Sequence, residues 1–76
     1  MTTPTAQRIA ENVRVELARK GISQVDLATH IFGVYSAKTR NQTSRRVRGE
    51  VPFTADELAA VAEFIGVPVT DLLAAA

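Results

Sequence analysis

The first half of the chain contains the segment Gly21-Ile22-Ser23-Gln24-Val25-Asp26-Leu27-Ala28, which carries the signals of a boundary between two helices. Gly21 directly follows Arg19 and Lys20, and a glycine after cationic residues is typical of a helix C-terminus. Ser23 is suited to cap a following helix, and Asp26 stands three residues later in the capping-box position. The stretch therefore predicts the end of one helix and the start of another, with a short connection between them.

Helical patterns continue on both sides of this stretch. Ile9, Val13 and Leu17 form the apolar stripe of a first helix, and Pro4 suits its first turn. The second helix is predicted over about residues 24–32 and the third over about residues 37–48. A fourth begins after Thr54, where a second capping box is predicted, and a short fifth lies within residues 67–73. We therefore predict an all-α, five-helix protein with a single domain over residues 1–76.

Composition narrows the class of protein. The chain has 76 residues, 46% of them hydrophobic, which is enough for one core, and it has no cysteine. Disulfides, thiolate metal sites and cysteine nucleophiles are therefore excluded. The first eight residues, MTTPTAQR, lack the apolar region of a signal peptide, and no apolar run approaches the ~20 residues of a membrane span. We expect a cytoplasmic protein.

Charge is strongly segregated along the chain, although the formal net charge is only +1. Between Asp26 and Glu50 there is no acidic residue, and from Glu50 onward there is no lysine or arginine. The cations of the acid-free segment are Lys38, Arg40, Arg45, Arg46 and Arg48. Amide and hydroxyl side chains that can bond phosphates and base edges lie among them. This segment is therefore predicted to bind nucleic acid.

The third predicted helix has two different faces. At about 100° per residue, Thr39, Thr43 and Val47 fall on one side. The opposite side carries Lys38, Asn41, Gln42, Arg45 and Arg48. The weakly apolar edge is expected to face the protein, and the side rich in hydrogen-bond donors is expected to face outward.

The order of these signals resembles the Cro/CI-type helix-turn-helix family, also called the XRE family. The quoted stretch matches it, as do Gly33-Val34 and the segment Ser44-Arg45-Arg46-Val47-Arg48-Gly49-Glu50. The match continues through Glu57-Leu58, Val61-Ala62, Ile65-Gly66-Val67 and Leu72-Leu73, so that it covers roughly residues 13–73. Sixteen positions separate Gly33 from Gly49, about four more than is usual, and four residues make about one helical turn. The resemblance implies a lambda-repressor-like fold with an enlarged turn or an extended recognition helix.

The same resemblance implies roles for individual residues. The third helix would be the recognition helix, lying in the major groove of DNA. The base-reading residues would be Lys38, Asn41, Gln42 and Arg45. The phosphate-binding residues would be Gln24, Arg40, Arg46 and Arg48. For Arg48 a second role stays open, because it lies beside Gly49 and is placed to bond the last carbonyls of its helix.

The function implied is that of a sequence-specific, double-stranded-DNA-binding transcriptional regulator, resembling a small phage Cro or repressor protein. Repression would follow from occupation of the operator, and such proteins pair as homodimers on two-fold operators. The candidate dimer interface consists of Phe64, Val67, Val69, Leu72 and Leu73.

Two other classes of function are weighed against this one. An antitoxin of the same fold would bind a toxin protein, with the acidic C-terminal half as the partner surface, and would regulate its own operon. An enzyme is not expected, because no metal-ligand cluster, phosphate loop or nucleophile–base pair is visible, and we expect no cofactor. His30 and the neighbouring acids Asp56 and Glu57 are interpreted as structural. Tyr35 is left open between stacking on DNA and packing of the turn.

Overall fold

The computed structural model describes residues 4–73 and shows five helices there. The helices are α1 (Pro4–Lys20), α2 (Gln24–Phe32), α3 (Ala37–Val47), α4 (Ala55–Ile65) and α5 (Val69–Leu73). The predicted all-α class and the five helices are confirmed, and no strand occurs between residues 4 and 73. The predicted domain also includes residues 1–3 and 74–76, which lie outside the described residues.

Side-chain caps explain where three of the helices begin. The hydroxyl of Ser23 accepts a hydrogen bond from the backbone N–H of Asp26, and the hydroxyl of Thr54 accepts one from Glu57. At Thr54 the Glu57 carboxylate also accepts the backbone N–H of the cap, so the predicted capping box is complete. A further capping box, between Ser36 and Thr39, begins α3. Sequence inspection missed this one because a threonine replaces the usual Glu or Gln at its third position.

One hydrophobic core joins the helices. Its buried members are Val13, Leu17, Leu27, Val47, Leu58, Val61, Ala62, Ile65 and Leu72. α2 packs on α3 and α4, while α1 packs on α3, α4 and α5. A tertiary hydrogen bond also links the first and last helices, since the Asn12 side-chain amide donates to the Leu72 carbonyl oxygen at 2.9 Å. The second and third helices therefore rest on a scaffold made by the other three.

The connection between α2 and α3 shows where the about four additional residues between Gly33 and Gly49 are accommodated. The two predicted possibilities were an enlarged turn and a longer third helix. Only residues 33–36 separate the helices, and Gly33 ends α2 with φ of 75°, a conformation that favours glycine. A turn of three or four residues is ordinary for a helix-turn-helix. The additional length therefore lies in α3, which has 11 residues, rather than in the turn.

Candidate nucleic-acid interface

α3 presents different chemistry on its two sides, as predicted. Thr39, Thr43 and Val47 are buried against the protein. The side chains of Lys38, Arg40, Asn41 and Arg45 are exposed, and Gln42 is half-buried. The outward side is therefore a row of cations and one amide, with a second amide at its edge. We call Lys38, Asn41, Gln42 and Arg45 the outward face of α3.

The N-terminal end of α3 is held by hydrogen bonds from its own turn. The Thr39 hydroxyl accepts the backbone N–H of Ser36 at 2.8 Å and lies 3.0 Å from the Val34 carbonyl oxygen, to which it donates. The Ser36 hydroxyl in turn accepts the backbone N–H of Thr39. These bonds satisfy polar groups that a helix start otherwise leaves to water. They also fix the direction in which α3 leaves the turn.

The C-terminal end of α3 is held against α1. The backbone N–H of Gly49 donates to the carbonyl oxygen of Arg46, and that of Glu50 donates to the carbonyl oxygen of Arg45. These are the two hydrogen bonds of a Schellman motif. Gly49 has φ of 82°, and an added Cβ would lie 3.4 Å from the Cα of Gln7. The Arg14 guanidinium, on α1, donates to the Val47 carbonyl oxygen at 2.6 Å. Sequence inspection did not find Arg14, because its partner is 33 residues away.

The structure places Arg46 inside the fold, which corrects its predicted role at phosphate. Its Nε donates to Glu57 Oε1 at 2.9 Å, and its Nη1 donates to the carbonyl oxygen of Gln42. The guanidinium carbon also lies 5.6 Å from the ring centroid of Phe32, within range of a cation–π interaction. The Arg46 and Glu57 side chains are only 15% and 16% exposed. Arg46 therefore ties α3 to α2 and α4 and is not available as a phosphate clamp.

The ion pair also changes the acidity of Glu57. Burial alone raises the pKa of the Glu57 carboxyl, but hydrogen bonds from the Arg46 side chain and the Thr54 backbone, with the Arg46 charge, outweigh this effect. The net result is a pKa below the ordinary value for glutamate. The charged carboxylate is thus the form that the folded protein stabilises, and Glu57 is a structural residue of α4.

Arg48 and Gln24 are both placed at the surface. Arg48 follows the last residue of α3, and its Nε lies 2.9 Å from Glu50 Oε2 in an exposed ion pair. The sequence left open whether Arg48 bonds the last carbonyls of α3. One of these, the Val47 carbonyl oxygen, accepts a hydrogen bond from Arg14. Gln24 is the exposed first residue of α2, at a helix N-terminus where backbone N–H groups favour an anion. Both side chains remain candidates for phosphate contacts.

The candidate dimer interface is smaller than predicted. Leu72 is fully buried in the core, so that it cannot contribute to an outer surface, and its inclusion was wrong. Phe64 is half-buried and stacks on His30 with ring centroids 4.5 Å apart, and Val67 packs partly against the core. Val69 and Leu73, both on α5, are exposed. The apolar surface that a partner could cover consists mainly of these last two side chains.

Metal-binding clusters and membrane-spanning helices are both absent from residues 4–73. The described residues contain no group of three or more His, Cys, Asp or Glu side chains arranged to hold a metal ion. None of the helices in this part of the chain is both long and apolar enough to cross a membrane.

An all-α domain with a four-residue turn before a helix that carries an exposed cationic and amide-rich face is a helix-turn-helix DNA-binding domain. The chain belongs to the BetR domain family, whose sequence model matches residues 5–76. This is a family of small helical, helix-turn-helix-like DNA-binding domains, and membership indicates a regulator-like role with DNA as partner. No curated protein and no solved structure is significantly similar to the chain.

Proposed function

We propose that this BetR-family protein is a sequence-specific transcriptional repressor of the Cro/CI type, which acts by occupying an operator in double-stranded DNA. The observation that supports this proposal is the outward face of α3. It gathers Lys38, Asn41 and Arg45 on one exposed side of a helix whose other side is buried. Such a helix fits the major groove, where each base pair offers a distinct set of donors and acceptors.

The residue types suggest which bases the outward face would recognise. Asn41 and Gln42 can each donate to and accept from adenine at N6 and N7, and Arg45 can donate twice to guanine at O6 and N7. Lys38, in the first turn of α3, suits guanine as well. Asn41 and Arg45 are four residues apart and so lie on neighbouring turns of the same face. The proposed operator therefore contains at least one guanine next to adenine-containing steps.

Phosphate contacts would flank this face. Arg40 and Arg48 are exposed, and Gln24 stands at the N-terminus of α2, which crosses the DNA backbone in this type of fold. These contacts would position the helix without reading sequence, and they would make affinity depend on salt through counterion release. Repression of this kind requires no catalysis, and we propose no enzymatic activity for the protein.

A two-fold operator would suit a pair of chains. Half-sites about 34 Å apart would place two copies of α3 in successive major grooves. Val69 and Leu73 on α5 would be the contact between copies, with the half-buried Phe64 and Val67 at its border. The dimeric form requires that adding a correctly spaced second half-site tightens binding. If the spacing of the half-sites made no difference to affinity, the dimeric form would be ruled out.

The experiment that tests the proposal is selection from a pool of random duplexes, followed by titration of the selected duplex and a scrambled one. A repressor predicts one recurring sequence, bound much more tightly than its scrambled version. Asn41→Ala should lose preference at one position of the site, whereas Arg19→Ala, an exposed arginine on α1, should leave the preference unchanged. Equal binding of all duplexes would overturn sequence-specific repression.

An antitoxin of the same fold is the alternative proposal. The feature that favours it is the acidic segment from Glu50 onward, in which α5 carries the exposed apolar side chains of Val69 and Leu73. These would meet a basic, partly apolar toxin protein. Stoichiometric co-purification of a small protein, lost on Leu73→Glu substitution, would support the antitoxin, and purification of the chain alone would count against it.

A further inference from the structure

The turn between α2 and α3 exposes two neighbouring apolar side chains. Val34 is 56% exposed and Tyr35 is 43% exposed, although both are large enough to contribute to a core. They stand directly before Ser36, the residue that caps the N-terminus of α3. Exposed apolar side chains are common one at a time, but an adjacent valine and tyrosine on a short turn form a small patch.

The backbone of this turn is fixed on both sides. The backbone N–H of Gly33 donates to the Thr29 carbonyl oxygen at 2.8 Å, which anchors the turn to α2. The Val34 carbonyl oxygen accepts the Thr39 hydroxyl at 3.0 Å, which anchors it to α3. The patch is therefore held in place before any partner arrives. Binding through it would order few additional groups, and tyrosine itself loses little conformational entropy.

The charge around the patch favours a polyanion. It lies in the segment between Asp26 and Glu50, which has no acidic residue. Lys38 follows Tyr35 by three residues and lies exposed on the first turn of α3. The first residues of a recognition helix are the ones that reach the bases. A turn that immediately precedes them meets the same stretch of duplex.

We infer that Val34 and Tyr35 form an apolar contact with the duplex at the N-terminal end of α3. The inference rests on the proposed function and adds a class of contact to it. The chemistry that would cover the patch is C–H surface, which DNA offers as thymine methyl groups in the major groove and as deoxyribose at the groove edge. Contact with a methyl group would add sequence specificity at a thymine, whereas contact with a sugar would add only affinity.

Tyr35 is the one tyrosine of the chain, which has no tryptophan, so its intrinsic fluorescence reports on this turn alone. Wild type, Tyr35→Ala, Tyr35→Phe and Val34→Ala would be titrated with the selected duplex at two salt concentrations. We expect a change of tyrosine emission on binding, and on the order of a tenfold loss of affinity for Tyr35→Ala. Tyr35→Phe, which keeps the ring, should bind like wild type.

Salt dependence separates this contact from the cationic ones. No counterion is released by an apolar contact, so Tyr35→Ala should weaken binding by the same factor at both salt concentrations. Val34→Ala should weaken it less, since a smaller apolar area is lost. The matched control is Val15→Ala, because Val15 is a valine of similar exposure, 48%, on α1. Its substitution should leave affinity unchanged.

Replacing thymine by uracil in the duplex distinguishes the two sources of C–H surface. If the patch meets a methyl group, wild type loses affinity for the uracil duplex and the alanine variants do not. If it meets deoxyribose, the loss in the alanine variants is the same on both duplexes. Either pattern supports the inference.

Unchanged affinity of both Tyr35→Ala and Val34→Ala, with unchanged tyrosine emission, would overturn the inference. If Arg45→Ala still weakened binding in that case, the proposed function would stand without this contact. If wild type bound no duplex, the proposed function and the inference would fail together.

Discussion

A single hydroxyl, that of Thr43, is buried without a hydrogen-bond partner among the described residues. It lies on the inner side of α3, at a position with no exposure to solvent. An unpaired buried hydroxyl costs stability, since it gives up its bonds to water and gains none. Thr39, one turn earlier, differs because its hydroxyl bonds both Ser36 and Val34. Two threonines on one helix face thus have opposite effects.

We predict that Thr43→Val raises the free energy of unfolding by about 1 kcal/mol, because valine keeps the shape and removes the unpaired hydroxyl. In a domain of this size that is a rise of roughly 4–8 °C in Tm, measurable by thermal or urea denaturation. Thr39→Val is the matched control and should destabilise, since it leaves the Ser36 N–H without its partner. Equal effects of the two substitutions would contradict this account.

The acidity of Glu57 gives a second prediction at the residue scale. Its folded pKa lies below the unfolded value of about 4.3, so its contribution is fully present above that pH and is lost as pH falls through the folded pKa. Glu57→Gln should lower the free energy of unfolding at pH 7 by about 1–2 kcal/mol and flatten its decline in acid. Urea denaturation between pH 7 and pH 3 measures both. Glu63→Gln, on the exposed side of α4, is the control for the change in net charge. If the stability of Glu57→Gln declined in acid as steeply as that of wild type, Glu57 would not be the group responsible.

Whole elements were largely predictable from sequence because their determinants are local. Caps, terminal glycines and helical periodicity act within a few residues, so that α2 was predicted with its observed ends and the buried side of α3 with its observed members. The errors concern side chains whose partners are distant. Arg46 bonds a residue 11 positions away, and the Leu72 side chain is buried in a core that includes Val13 and Leu17 of α1. Periodicity does place Arg46 beside the Thr43 and Val47 stripe, yet it does not identify Glu57 as a partner.

The orientation of α3 depends on its last turn, which gives a prediction at the element scale. Gly49→Ala should destabilise by about 1–2 kcal/mol for the positive φ alone. The added Cβ would reach α1 only at an ordinary van der Waals distance, 3.4 Å from the Gln7 Cα, so steric contact should add little to this loss. Gly21→Ala is the control, since Gly21 has φ of 68° and open space around it. Denaturation curves should therefore show similar losses of stability for the two substitutions, and a much larger loss for Gly49→Ala would contradict this prediction.

At the scale of the whole molecule, cationic and acidic residues are concentrated in different segments of the chain. The five cations between residues 38 and 48 are followed by five acids between residues 50 and 71, so a polyanion should be attracted to the cationic segment and repelled by the acidic one. The structure keeps Arg46 inside and leaves Lys38, Arg40, Arg45 and Arg48 at the surface. The field that steers DNA therefore surrounds the same helix that would read it, and steering should weaken as salt rises.

Whether α3 reads DNA sequence is best measured by the affinity of Arg45→Ala for the selected duplex, by fluorescence anisotropy at two salt concentrations. The outward face of α3 predicts a loss of about 1–3 kcal/mol and relaxed preference at one base pair. Arg19→Ala, which removes the charge of an exposed arginine on α1, should bind like wild type. Weak binding to every duplex, unaltered by Arg45→Ala and abolished by salt, would contradict the claim that α3 reads DNA sequence.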